Sequence, residues 1–288
     1  MALSKPINGL KVNTRKNLVR KLILGGAQIG QPYGQFDNSE LLDKKKSIAF
    51  INKALMIGIN KIDIAEEYNI EFVKSLGFDN KIFINKFKTT SFINHYEDYI
   101  LGFDEIFIHD TDFLKKDKKD VFLSKYHRLK NKVNIGFSVY SMKDVFLILE
   151  LIKSPYAFQV PDNIFSQTFI HKNFIECKNI HNFKIYVRSV FLQGMILAQE
   201  DNVPSKLSNI KNELIRFKKF CVHNNYKPEI AALSYVFENE AYDKIIIGCN
   251  NLKQLMDLNK NVQFLENNNM NIKYKPSLSA ETLDPRNW

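Results

Sequence analysis

Eight short apolar runs, separated by longer amphipathic stretches, constrain what this chain can fold into more than any other feature. They are KLILGG (21–26), KIDIA (61–65), KIFIN (81–85), EIFIH (105–109), VNIGFS (133–138), AFQV (157–160), KIYVRS (184–189) and KIIIGC (244–249). Each is the length of a strand buried on both faces. Between two of them Ile48, Ile51, Leu55 and Ile59 recur at helical spacing with Gly58 as the stop, and Val145, Phe146, Leu149 and Ile152 keep a second face. Strands alternating with helices build a parallel sheet. A doubly wound sheet would carry a G-x-G-x-x-G turn after an early strand, and LGGAQIG (24–30) does not have that spacing. The alternation predicts the α/β class and a (β/α)8 TIM barrel, and with no repeat, low-complexity run or linker residues 1–288 are expected to form one domain.

Composition narrows the function classes. The formal charge is +10, but the lysines are dispersed, and the densest cluster, KKDKKD (115–120), is interrupted by Asp117 and Asp120. That is the pattern of a solvated helix face, so nucleic acid is not expected as a partner; a positive field suits a small anionic ligand equally well. No run is long and apolar enough to span a bilayer and MALSKPINGL does not read as a leader, so a cytoplasmic protein without a membrane partner is expected. Cys177, Cys221 and Cys249 are odd in number and widely spaced, which suggests neither a disulfide framework nor a metal site.

In a barrel of this kind chemistry sits at the carboxyl ends of the strands. The polar residues expected there are Asp63 with Tyr68 on the loop beyond it, Lys86, and His109. Taken singly, each has an ordinary structural role open to it. Taken together, at successive strand ends, they make a proton-transfer device. A phenol has an ordinary pKa of about 10 and is a poor acid at neutral pH without a neighbouring ammonium. In this reading Lys86 supplies that ammonium, Asp63 keeps it charged and aimed, and His109 orients a substrate oxygen or shares the proton.

The chain resembles the aldo-keto reductases over nearly its whole length. LILGGAQIGQPYG is similar to their first strand and loop, and GINKIDIAEEYN to their segment around the catalytic aspartate and tyrosine. FDEIFIHD, IGFSVYS, FQVPDNIFSQ, VRSVFLQGMIL and IIIGCNNLKQL follow in the family's order. The resemblance implies a barrel that binds NAD(P)H at its carboxyl face and reduces carbonyls to alcohols, with Asp63, Tyr68, Lys86 and His109 as the catalytic four. It further implies cofactor contacts at Gly26, Ala27, Ser138, Gln159, Arg188, Ser189, Gly248, Asn250, Gln254 and Asp257.

Several of those positions depart from the family pattern. Val139 stands where an Asn helps hold the nicotinamide carboxamide, Gly26 where a Thr is common, and Ile64 where a Thr or Ser is. Arg188 stands where an aromatic ring often stacks on the nicotinamide; its flat guanidinium can stack or meet an anion. In members that prefer NADP the turn after the eighth strand supplies a basic residue and, six positions on, an arginine. Here these are Gly248 and Gln254, so NADH is expected to be accepted at least comparably to NADPH, with Lys253 as the route by which an NADP preference could return. A tail of about 266–288, ending in Trp288, is expected near the barrel mouth; its D-P-R-x-W ending is similar to that of bacterial relatives from surface-polysaccharide or sugar-nucleotide pathways. The substrate is thus expected to be a carbonyl compound, anionic or sugar-like. A cofactor-binding regulatory or interaction protein with little turnover is the rival reading. Barrel hydrolases are disfavoured: LGGAQIG offers no His-x-His, and Arg188 and Ser189 stand where a glycosidase needs an acid.

Overall fold

The computed structural model describes residues 17–32, 41–68, 70–170, 172–279, 282–284 and 288. The segment MALSKPINGL, residues 33 and 34 of the first family-like motif, Asn69, and Pro285 and Arg286 of the tail lie outside the described residues. Eight parallel strands close into a barrel in chain order: β1 (Leu22–Gly25), β2 (Ile62–Ala65), β3 (Phe83–Phe87), β4 (Glu105–Ile108), β5 (Asn134–Ser138), β6 (Ala157–Pro161), β7 (Lys184–Arg188) and β8 (Lys244–Gly248). Closure is made by β1 and β8, paired from Leu22↔Ile245 to Gly25↔Gly248. The helices in chain order are α1 (Lys44–Met56), α2 (Ile70–Ser75), α3 (Thr89–Asn94), α4 (Glu97–Leu101), α5 (Lys116–Leu129), α6 (Met142–Leu151), α7 (Lys172–His181), α8 (Ser208–His223), α9 (Pro228–Glu238) and α10 (Leu252–Asn267). At least one follows every strand. None of the described helices is long and apolar enough to cross a membrane.

The period of two within each strand divides the core into layers. Ile62, Ile64, Phe83, Phe87, Ile106, Ile108, Phe137 and Phe158 turn outward into the main core shared with the helices. Ile23, Ile84, Phe107, Ala157, Tyr186 and Ile246 turn inward and fill the lumen. Gly136 of β5 is required by that filling, because a Cβ there would lie 2.5 Å from the Phe107 ring. Two residues nearer the carboxyl face the inward layer becomes polar, with Asp63, Lys86, Ser138 and Gln159 all buried. That switch is the foundation of the site.

The expected helices form, but each buried face is shifted: on α1 Ile48 and Leu55 are only half-buried against the core, at the edge of the face. On α1 the buried residues are Ser47, Phe50, Ile51 and Ala54, and Gly58 (φ 98°) follows as the stop. On α6 Val145, Ile148 and Leu149 are buried, but Phe146 is 42% exposed. A helix turns 100° per residue, so 145, 148, 149 and 152 share a face that 146 leaves.

A second core lies beside the barrel mouth, joining the loops after β6 and β7 to α8, α9 and the tail through Phe165, Leu192, Met195, Phe217, Ala231, Tyr274 and Leu283. Residues 266 and 267 belong to α10, so the tail begins two residues later than expected, at Asn268. Buried Glu213 of α8 anchors it, accepting from Tyr274 Oη at 2.5 Å and from Ser277 Oγ, while Arg216 bonds the same carboxylate and Lys275 O. A second buried carboxylate, Asp162, accepts from the Thr168 amide at 2.8 Å, from Tyr235 Oη at 2.7 Å and from Tyr242 Oη. It ties the loop after β6 to α9 and to the entry of β8.

Candidate active site

Asp63 is the second residue of β2, and the alternation that sends Ile62 and Ile64 outward sends it into the lumen. Lys86 takes the equivalent inward place in β3. Both lie within their strands rather than beyond them, which sinks them below the mouth and seals them. The β2–β3 register sets Ala65 opposite Lys86 and Asp63 opposite Ile84, so the long lysine reaches back to the shorter acid. Nζ lies 2.5 Å from Asp63 Oδ2, with the side chains 3% and 5% exposed. The other oxygen, Oδ1, accepts from Gln159 Nε2 at 3.0 Å.

Tyr68 enters over this pair from the turn after β2. Its amide donates to Ala65 O at 2.9 Å, and its ring centroid is 5.4 Å from Lys86 Nζ. The two glutamates before it fasten that turn: Glu66 meets His95 Nε2 at 2.9 Å and accepts from the Lys88 amide at 3.2 Å, and Glu67 pairs with Lys88 at 2.7 Å. His109 follows β4, its amide donating to Phe87 O at 2.8 Å and its Nδ1 lying 3.4 Å from Glu67 Oε2.

The electrostatics differ sharply between neighbours. Burial works against the Lys86 ammonium, yet the Asp63 carboxylate and the Tyr68 oxygen hold its pKa above the ordinary lysine value. For His109 burial and then the Lys86 charge act together and push the imidazole down to about 4, against the weaker pull of Glu67 and Asp63. The site therefore holds a charged lysine beside a neutral histidine at physiological pH.

Asp63, Tyr68, Lys86 and His109 open into a cavity of about 720 Å³. Gly26, Ala27, Arg188, Ser189, Gly248, Asn250, Gln254 and Asp257 also line it. Ser138 and Gln159 do not; they sit beneath its floor, opposite each other in the β5–β6 register. Ser138 Oγ and Gln159 Oε1 are buried without a hydrogen-bond partner among the described residues. An unpaired buried polar atom costs about 1–3 kcal/mol, so two adjacent ones on the lumen side fit the amide of a nicotinamide. Val139, by contrast, turns into the outer core and offers only its carbonyl.

The loop after β7 forms one wall. Ser189 (φ 63°), Leu192 (φ 50°) and Gln193 (φ 54°) hold left-handed backbone that ordinary side chains seldom adopt, and strain of this kind, about 1–3 kcal/mol per residue, clusters where ligands are gripped. Asn163, after β6, steadies the loop by donating to Ser189 O at 3.2 Å. On the opposite wall Gln28 lies across Gly248, where a Cβ would come within 2.2 Å of its Nε2. Beyond Gly248, Asn251 caps α10 and Gln254 Oε1 accepts from the Asn250 amide at 2.8 Å. Asp257 is paired with Lys253 at 2.8 Å and lies 3.8 Å from Lys260. The Arg188 guanidinium lies 4.3 Å from the centroid of the Tyr140 ring, with long contacts of 3.4 Å to Ser189 Oγ and Val139 O.

Tyr140, Gln28, Gln193 and Glu67 were not singled out by the sequence reading, although all four stand inside motifs quoted above. The available signal was position: Tyr140, Gln28 and Glu67 are each within two residues of one that was named, and Gln193 is four residues beyond Ser189 in the same motif. No cluster of His, Cys, Asp or Glu among the described residues is placed to hold a metal ion, and the three cysteines are free.

A model of the aldo/keto reductase family matches residues 106–274. The glycerol dehydrogenase from Gluconobacter oxydans superimposes with a TM-score of 0.60 at 18% identity, over 90% of this chain and 94% of that one. The holo form of an aldo-keto reductase from Bacillus halodurans gives 0.63 at 16% identity, over 91% and 89%. At these identities the likeness is one of fold. No curated protein matches significantly.

Proposed function

Since the chain belongs to the aldo/keto reductase family, we propose that it is an NAD(P)H-dependent oxidoreductase that reduces an aldehyde or ketone to an alcohol, with Tyr68 as the proton donor. One observation carries this reading: a sealed Lys86–Asp63 pair lies directly beneath the Tyr68 ring, with a neutral histidine at the same mouth. Ser138, Gln159, the strained Ser189–Gly194 loop and the turn around Gly248 would hold the dinucleotide, which supplies the hydride when bound.

The chain's own groups handle the proton. Tyr68 gives its phenolic proton to the carbonyl oxygen as negative charge develops there, and Lys86 stabilises the oxygen left behind. Asp63 keeps the lysine charged and fixes its direction, and Gln159 fixes Asp63 in turn. His109, being neutral, donates or accepts a hydrogen bond at the substrate oxygen without adding a second charge beside Lys86. A sugar or sugar-nucleotide carbonyl as substrate, in surface-polysaccharide synthesis, is the finer reading. The amide and hydroxyl groups of Gln28, Ser189 and Gln193 around the cavity support it. The same reading places the enzyme in the cytoplasm, without nucleic-acid or membrane partners. Loss of reduced-cofactor absorbance with a panel of aldehydes, ketones and open-chain sugars tests it. Binding of cofactor with no turnover on any of them would favour a regulatory protein instead.

A further inference from the structure

Among the described residues the Arg188 side chain is the one cation lining the reaction cavity, apart from the sealed Lys86 and from Lys218, which is committed to Ala198 O at 2.8 Å. Among the described residues it has no carboxylate partner: its contacts are the Tyr140 face and two long bonds to oxygens that are not charged. A guanidinium seated over a ring can still present its N–H groups for bidentate pairing. That edge stands between two spaces. Arg188, Tyr140, Ser189 and Leu192 line both the large cavity and a side pocket of about 40 Å³, whose other walls include Asn163, Ser166 and Thr168. The side pocket is about three times the 10–15 Å³ that a single water needs, which suits a group of three heavy atoms rather than a phosphate or a nucleotide.

We infer that Arg188 and Tyr140 form a carboxylate-recognition subsite, so that the preferred substrates are carbonyl compounds bearing a carboxylate at the end remote from the reacting carbon. The inference rests on the reductase reading above and names the substrate class for that site. Charge complementarity supports it: Arg188 also acts on Lys86 and His109, so an incoming anion relieves repulsion within the mouth. The flat ring under the guanidinium limits its rotation, which lowers the entropy lost when it pairs. Asp284 of the tail also lines the side pocket and is itself partnered.

The test compares 4-oxobutanoate and 5-oxopentanoate with their methyl esters, which differ only in charge at the remote end. The native chain is expected to favour each acid over its ester by at least about tenfold in kcat/KM, carried by KM. Arg188→Met should bring that ratio close to one, and Arg188→Lys, which keeps the charge but not the flat fork, should restore part of it. Equal ratios in the native chain and in Arg188→Met would overturn the subsite. Turnover of the esters with no preference for the acids overturns the subsite while leaving the reductase reading intact. If no carbonyl compound is turned over, calorimetric titration of the full chain with glutarate decides: heat that is lost in Arg188→Met supports the subsite, and no heat from the native chain overturns it.

Discussion

Lys86 Nζ and Asp63 Oδ2 stand 2.5 Å apart inside the barrel, with neither side chain more than 5% exposed. A pair this deep costs much to desolvate, and it is stable only while both partners are present. Asp63→Asn leaves the ammonium buried with a neutral neighbour, and the expected loss is about 3–5 kcal/mol of folding stability. The double variant Asp63→Asn/Lys86→Met removes the orphaned charge and should recover a large part of that loss. Denaturant unfolding of the three proteins measures both; a single variant with the native midpoint would show that the pair does not carry the stability assigned to it.

Tyr68→Phe removes the proton donor and little else. Carbonyl reduction should fall by about 10²–10⁴-fold, while the affinity for reduced cofactor, read by fluorescence titration, should stay close to the native value. Reduction of a good substrate at the native rate would mean that the proton comes from elsewhere.

The position of His109 gives a pH prediction with a definite sign. Its pKa in the folded chain is about 4, below the ordinary value of about 6.5. Between these values the unfolded chain takes up a proton that the folded chain refuses. The stability associated with the neutral ring is therefore fully present above about pH 6.5 and is lost as the pH falls toward 4, at up to about 1.4 kcal/mol per pH unit. His109→Asn should remove this slope. Lys86→Met removes the second largest cause of the shift and should move the His109 titration upward, whereas Glu67→Gln should move it down. Denaturant unfolding across this pH range measures the slope, NMR of the imidazole protons follows the two titration shifts, and a His109 that titrates near 6.5 in the native chain would contradict the burial described here.

The alternation of Ile62, Asp63 and Ile64 was legible because a strand's period of two is a local property, and so were the eight strands and their order. Depth was not. Whether Asp63 and Lys86 stand at the rim or below it depends on the β2–β3 register, which no local pattern encodes. The same holds for Phe146, assigned to a buried face by apolarity although helical angle carries it outward. Asp162 and Glu213 read as ordinary charges in sequence, since their partners lie up to 80 residues away. For Arg188 the departure from the family pattern was visible, but its seat on Tyr140 was not, because β5 and β7 meet only through the closed sheet.

Choice of nicotinamide cofactor turns on the segment after β8. Gly248 contributes no charge, and Gln254 has turned its amide oxygen back onto the Asn250 amide at 2.8 Å as part of the cap of α10. A ribose 2′-phosphate there would lack the charge-assisted bonds that are worth about 1.5–3 kcal/mol each. Lys253, the nearest replacement, is already directed to Asp257 at 2.8 Å one helical turn on. That carboxylate also repels a phosphate, and it suits a free ribose hydroxyl better. The expected outcome is that NADH is accepted at least comparably to NADPH. Lys253→Ala should change the ratio little, and Gln254→Arg should shift it toward NADPH by restoring a cation at the clamp position. Fluorescence titration of the protein with both reduced cofactors measures the ratio; NADPH binding more than about tenfold tighter, a gap of about 1.4 kcal/mol, would mean that another cation reaches the 2′-position and that the Lys253–Asp257 pair opens when the cofactor binds.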